Sequence, residues 1–128
     1  MIELEVSRLN KKFGGNHVLK DVSFEIKGAE MIGLIGPNGA GKTTLTNVLD
    51  GAVKPNSGTV YLNGKRIDQL PPFEIAKTGL GRTFQVTRSF RRMTVLENLY
   101  VPALALGKSH TGNEVKEQAL EVLEFLTM

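Results

Sequence analysis

The chain has 128 residues, 41% hydrophobic and 23% charged, which fits one folded domain and excludes a disordered, collagen-like or rod-like chain. With no cysteine, it can form neither a disulfide framework nor a thiolate zinc site, and its two histidines, His17 and His110, are too far apart in sequence to suggest a His-rich metal site. A net charge of +3 falls short of the Lys/Arg loading of a dedicated nucleic-acid binder, so no nucleic-acid partner is expected.

The N-terminus, Met1-Ile2-Glu3-Leu4-Glu5, carries acids where a secretory signal carries bases. Ile2, Leu4 and Val6 alternate with Glu3, Glu5 and Ser7, which predicts a half-buried strand, and Val22, Phe24 and Ile26 repeat the pattern. Between them, Asn10–Asn16 reads as a turn carrying one aromatic ring, Phe13, beside Gly14-Gly15. Met31–Ile35 is apolar without alternation, the pattern of a strand covered on both faces. It is far shorter than the roughly 20 residues of a membrane span, as is Val101–Leu106.

After a Gly-rich loop, Lys42–Leu49 reads as a helix stopped near Gly51. Thr59–Leu62 and Lys65–Ile67 flank Asn63-Gly64, a strong hairpin signal. Pro71–Lys77 predicts a short helix ended by Gly79, and Leu80–Phe84 another strand. Thr94 and Glu97 have capping-box spacing, as do Thr111 and Glu114. In the last helix Val115, Ala119, Val122, Leu123 and Leu126 form one apolar stripe.

Gly36-Pro37-Asn38-Gly39-Ala40-Gly41-Lys42-Thr43 matches the phosphate-loop pattern G-x-x-x-x-G-K-[ST], with an apolar run before it and a helix after it. Glycines let successive backbone N–H groups turn inward toward a phosphate, and the helix N-terminus faces the same anion. Lys42 supplies a mobile charge for the β- and γ-phosphates, and the Thr43 hydroxyl is placed to ligate Mg²⁺. A GTPase would need N-K-x-D and D-x-x-G, and neither occurs.

Around the loop, essentially the whole chain resembles the ATP-binding subunit of ABC transporters, particularly the branched-chain amino-acid uptake subfamily. Leu9-Asn10-Lys11-Lys12-Phe13-Gly14-Gly15 is similar to the family's aromatic loop, Gly36–Thr44 to its phosphate loop with Thr44 as the last residue, and Arg82-Thr83-Phe84-Gln85 to its glutamine loop. Met93-Thr94-Val95-Leu96-Glu97-Asn98 resembles the helix start beyond it. The resemblance implies adenine stacking on Phe13, nucleotide binding by Gly36 through Thr44, Mg²⁺ near Thr43 and Gln85, and catalytic roles for Lys42 and Gln85. Lys77, Arg82, Arg88, Arg91 and Arg92 meet no acid between Glu74 and Glu97. They form either a solvated basic face or a docking surface for a membrane subunit.

The implied fold is α/β, a P-loop NTPase of the ABC ATPase type. An antiparallel β subdomain and the start of a parallel core are expected over about 1–92, and a partial helical subdomain over about 93–128. The family's Leu-Ser-Gly-Gly-type signature, Asp-Glu strand end and switch histidine do not occur, so the chain is expected to be the N-terminal part of such a domain. The implied function is ATP binding, with hydrolysis in the complete protein, driving uptake through membrane permease subunits at the inner face of the cell membrane beside a second ATP-binding subunit. A nucleotide-binding fragment without hydrolysis, or the ATPase of an exporter or a soluble process, are the alternatives.

Overall fold

Leu4 and Val6 face one side of a long strand, β1 (Glu3–Phe13), paired antiparallel with β2 (Asn16–Lys27) in the register Leu4 to Ile26, Val6 to Phe24 and Phe13 to Asn16. The computed structural model describes residues 3–84, 86, 89–105 and 112–126, without the side chains at 105 and 112. Two compact units are present, Met1–Arg82 and Thr83–Met128.

In the first unit the turn expected over Asn10–Asn16 is only Gly14-Gly15, because the ladder continues through Lys11, Lys12 and Phe13. Simple alternation conceals this continuation. Between Val6 and Leu9 the register slips, with Arg8 at φ 45° and Asp21 at φ 54°, and the inward side passes from even to odd positions. Leu4, Val6 and Leu9 are consequently all buried. The Asn10 side chain stitches this bulge. Its Nδ2 donates to the Arg8 carbonyl (2.9 Å), and its Oδ1 accepts from the Asp21 N–H (3.1 Å) and lies 3.0 Å from His17 Nε2.

A third strand, β3 (Ser57–Leu62), pairs with the other edge of β1, and β4 (Lys65–Arg66) completes the antiparallel order β2-β1-β3-β4. The Asn63-Gly64 turn forms as expected, with φ of 51° and 75°, the positive pair that a two-residue hairpin requires. Gly58 passes so close to the bulge that a Cβ there would lie 2.6 Å from Leu9 Cα. The inner sheet face packs on Leu45 and Val48 of α1 (Lys42–Leu49) and on Ile75 of α2 (Pro72–Lys77), forming one core with Ile67.

The run Met31–Ile35 departs from expectation. It has no ladder partner, and Met31 and Ile35 are 100% and 93% exposed. A strand covered on both faces takes its hydrogen bonds from neighbours on either side, and among the described residues every ladder belongs to the antiparallel sheet. Leu80–Phe84 likewise forms no strand, although Leu80 packs on the core.

Asp68 is the buried polar residue of the first unit's core. Its carboxylate accepts from Arg66 Nε (2.9 Å) and Nη2 (3.0 Å), the Val60 N–H (3.0 Å) and Gln69 Nε2 (2.9 Å). Burial pushes its pKa up, but the Arg66 guanidinium, the Val60 N–H and the Gln69 amide together hold it below the ordinary aspartate value.

In the second unit, α3 (Val95–Ala105) packs on α4 (Gly112–Phe125). The capping box at the start of α3 is closed. Glu97 Oε2 accepts from the Thr94 N–H (2.7 Å), and the Glu97 N–H donates to Thr94 Oγ1 (3.2 Å). The Thr94 N–H and then its hydroxyl lower the Glu97 pKa. Asn98 fastens the preceding turn, its Oδ1 accepting from the Phe90 N–H (2.8 Å) and its Nδ2 donating to the Thr94 carbonyl (2.9 Å). Of the expected stripe, Val115 and Ala119 are buried, Leu123 is half-buried, and Val122 and Leu126 are exposed. Thr111, the N-cap expected for α4, and His110 lie outside the described residues. No helix among the described residues is long and apolar enough to cross a membrane.

A lowered folded pKa stabilises above the unfolded value, and that stabilisation is lost as pH falls through the folded pKa. Asp68→Asn should therefore cost about 2 kcal/mol in urea unfolding at neutral pH, the scale of a hydrogen-bonded charge. The difference from the parent chain should shrink as the pH is lowered through the carboxylate range.

Candidate functional site

The phosphate-loop residues lie between the exposed 31–35 run and α1. Gly39 and Gly41 have φ of 83° and 89°, and Gly41 is the N-cap of α1, with its carbonyl accepting from the Leu45 N–H at 2.8 Å. At Gly41 glycine is favoured on two counts. The φ is left-handed, and a Cβ would lie 3.1 Å from Leu19 Cδ2 and 3.2 Å from both Val18 Cγ1 and the Val18 carbonyl. The loop is thereby seated directly against β2.

That seating creates an open cleft of about 330 Å³, lined by Phe13, Val18 and the loop from Asn38 through Ala40 to Thr44. Phe13 and the loop, well separated in sequence, thus border one cavity. Phe13 is the last residue of β1 rather than a turn residue, and its ring is half exposed. Lys42 Nζ donates to the carbonyls of Gly36 (2.5 Å) and Pro37 (2.8 Å), so the ammonium lies folded over the start of the loop. Thr43 is exposed at the first turn of α1. A positive-φ glycine loop, a helix N-terminus and a lysine ammonium are the donor set of an anion cradle, and these residues fit a nucleotide's phosphates.

The exposed Thr43 hydroxyl at the start of α1 is a hard oxygen of the kind that could ligate Mg²⁺ beside bound phosphates. Among the described residues no group of three or more His, Asp or Glu could hold a metal ion. Gln85 lies outside the described residues, as does Arg88.

Two features of the site have no simple pattern in the sequence. Val18 lines the cleft because β2 carries the loop, and nothing in the residue itself signals it. Arg82, expected among cations without an acid nearby in sequence, bonds Asp50 Oδ2 (2.5 Å) and Asn47 Oδ1 (2.7 Å), groups far earlier in the chain at the C-terminal end of α1. A cation there also complements the negative end of the helix. Arg91 and Arg92 are exposed. A larger concavity of about 450 Å³ lies along the β1 bulge, lined by Ser7, Arg8, Asn10, Asp21 and the start of β3, with no phosphate-loop segment.

Comparison with known proteins bears directly on this site. The high-affinity branched-chain amino acid transport ATP-binding protein LivG of Salmonella typhimurium is 49% identical over 98 residues, 77% of this chain and 38% of LivG. The ADP conformation of an ATP-binding cassette of an ABC transporter superposes with a TM-score of 0.83 at 36% identity, covering 99% of this chain and 54% of that one. A dimeric cassette in a post-hydrolysis state bound to ADP and Pi has a TM-score of 0.79 at 28% identity, covering 98% of this chain and 57% of that one. The fold is accordingly that of the P-loop ABC ATPase cassettes, and the chain spans 38% of the curated relative's length and little more than half of the solved cassettes. The family model described as ABC transporter matches residues 19–128, a stretch that takes in the phosphate loop and helices α1 to α4, and the chain therefore belongs to the ABC transporter family.

Proposed function

We propose that this chain binds ATP through the cleft between Phe13 and the phosphate loop, as part of the ATP-binding component of an uptake system for branched-chain amino acids. The observation that carries this reading is the cleft itself, where an anion cradle and an aromatic ring share one cavity at the end of the β1–β2 hairpin. Gly36, Pro37, Asn38, Gly39, Ala40 and Gly41 form the cradle, Lys42 meets the β- and γ-phosphates, and Thr43 and Thr44 complete the first turn of α1 beneath them. Phe13 stacks on the base. Mg²⁺, when bound, supplies charge neutralisation on the phosphates, with Thr43 and Gln85 as the residues that hold it. Lys42 and Gln85 act in hydrolysis in the complete protein by stabilising charge and orienting water.

The transported class rests on the name of the relative, a branched-chain amino acid transport ATP-binding protein. The same name supports membrane permease subunits as partners and a place at the inner face of the cell membrane. The dimeric cassette supports a second ATP-binding subunit. We read 1–128 as one incomplete cassette domain, with the β subdomain and core to about residue 92 and the helical part beyond.

Replacing Lys42 with Ala should weaken ATP binding by about 2–4 kcal/mol, the scale of a lost charge-assisted contact. Calorimetry on the folded variant checks this, and unchanged affinity would remove the phosphate-loop assignment.

Stacking is tolerant of base identity, so Phe13→Ala should weaken ATP and GTP alike while leaving inorganic triphosphate untouched. Normal ATP binding by this variant would return the ring to a purely structural role.

The 128-residue chain alone should bind nucleotide without turning it over, because its sequence holds no Leu-Ser-Gly-Gly signature and no Asp-Glu strand end. A phosphate-release assay with Mg²⁺ should stay at background. The exposed Val122, Phe125 and Leu126 on and just beyond α4 should bind a hydrophobic dye. Robust turnover by dye-silent, monodisperse chain would refute this part of the proposal.

A further inference from the structure

The Phe13 ring has a second neighbour outside the cleft. Lys11 holds its ammonium over the ring, 4.9 Å from the centroid. The same Nζ donates to the Lys54 carbonyl at 2.8 Å. That carbonyl is itself held near β1, because the Asn56 N–H donates to the Asn10 carbonyl (2.9 Å) and Asn56 Oδ1 accepts from the Lys12 N–H (2.6 Å). The ammonium is therefore tethered at a set place above the ring. Phe13 lines the cleft and Lys11 does not, so one ring meets both the cavity and the tethered ammonium.

The tethered charge acts on the ring in two ways. A cation over one face favours the ring orientation that keeps the face beneath it, which limits rotation of a side chain that is half exposed. The charge also draws π-electron density toward Lys11, leaving the rest of the ring less negative. A second π-system stacked there then meets less quadrupole repulsion.

We infer that Lys11 is a positioning residue for base recognition, acting through Phe13 to strengthen the hold on the nucleoside part of a nucleotide without touching it. This rests on the reading of Phe13 as the base platform, and the experiment separates the two. Calorimetry on the 128-residue chain measures ATP and, separately, inorganic triphosphate for Lys11→Met, Lys11→Gln, Lys11→Arg and Phe13→Ala. Loss of the cation–π contact should weaken ATP about two- to fivefold in Lys11→Met with triphosphate unchanged. Lys11→Gln keeps a donor for the Lys54 carbonyl but no charge and should lose the same factor, whereas Lys11→Arg should restore parental affinity. In the Phe13→Ala background Lys11→Met should have no further effect.

An equal loss of ATP and triphosphate would make Lys11 a plain cation for the phosphates and overturn the inference. So would parental ATP affinity in Lys11→Gln, which would leave the tether to Lys54 as its whole role. Parental ATP affinity in Lys11→Met, with a clear loss in Phe13→Ala, would overturn it while the base platform stands. Parental affinity in Phe13→Ala would overturn both.

Discussion

Every part of the site depends on how closely Gly41 lies against β2. A residue with a Cβ there would adopt a strained φ and press on Val18 and Leu19, which would have to give by a few tenths of an ångström. Leu19 and Leu45 belong to the same core, so lifting the loop would also open the contact between α1 and the antiparallel sheet. The close approach at Gly41, together with Leu45 and Val48 in the core, therefore helps place the helix N-terminus, the turned backbone before it and the lysine after it. It also helps set their distance from the end of the β1–β2 hairpin, where Phe13 stands.

The hairpin that borders the loop is irregular along its length. A regular strand from Glu3 to Phe13 would send Leu9 to solvent, since residues an odd number apart face opposite sides. The slip at Arg8, with Asp21 at positive φ across the ladder, returns Leu9 to the core and re-aims the strand from Asn10 to Phe13. Asn10 holds the slip by bonding both strands, and Gly58 on β3 makes room for it. Backbone conformations that cost energy at non-glycine residues are here held in place by surrounding bonds.

Two ion pairs of the first unit tie its segments together, Arg82 with Asp50 and Arg66 with Asp68. Arg82 neutralises Asp50 at the end of α1 and so fastens its own segment to the helix carrying the phosphate loop. Asp68 accepts four donor bonds inside the core, which ties the turn after β4 to Val60 of β3 and favours the carboxylate over the acid. In the second unit order is local, with Thr94, Glu97 and Asn98 building the entry to α3 from residues within eight positions of one another.

Features that depend on neighbours along the chain were legible in the residues themselves. The phosphate loop, the helix after it, the Asn63-Gly64 hairpin and the Thr94–Glu97 cap are all specified by backbone preferences and hydrogen bonds a few residues long, and each forms as its residues foretell. Met31–Ile35 forms no strand because an apolar pattern records a suitability for burial, and burial needs flanking strands that a sequence window cannot supply. The extension of β1 to Phe13 is hidden from pattern reading because a bulge inverts the phase on which alternation depends. That Val18 lines the cleft, that Lys11 lies over the Phe13 ring and that Arg82 meets Asp50 became visible in the folded chain alone. These contacts join residues through space, and their geometry exists only once the core has fixed the elements that carry them.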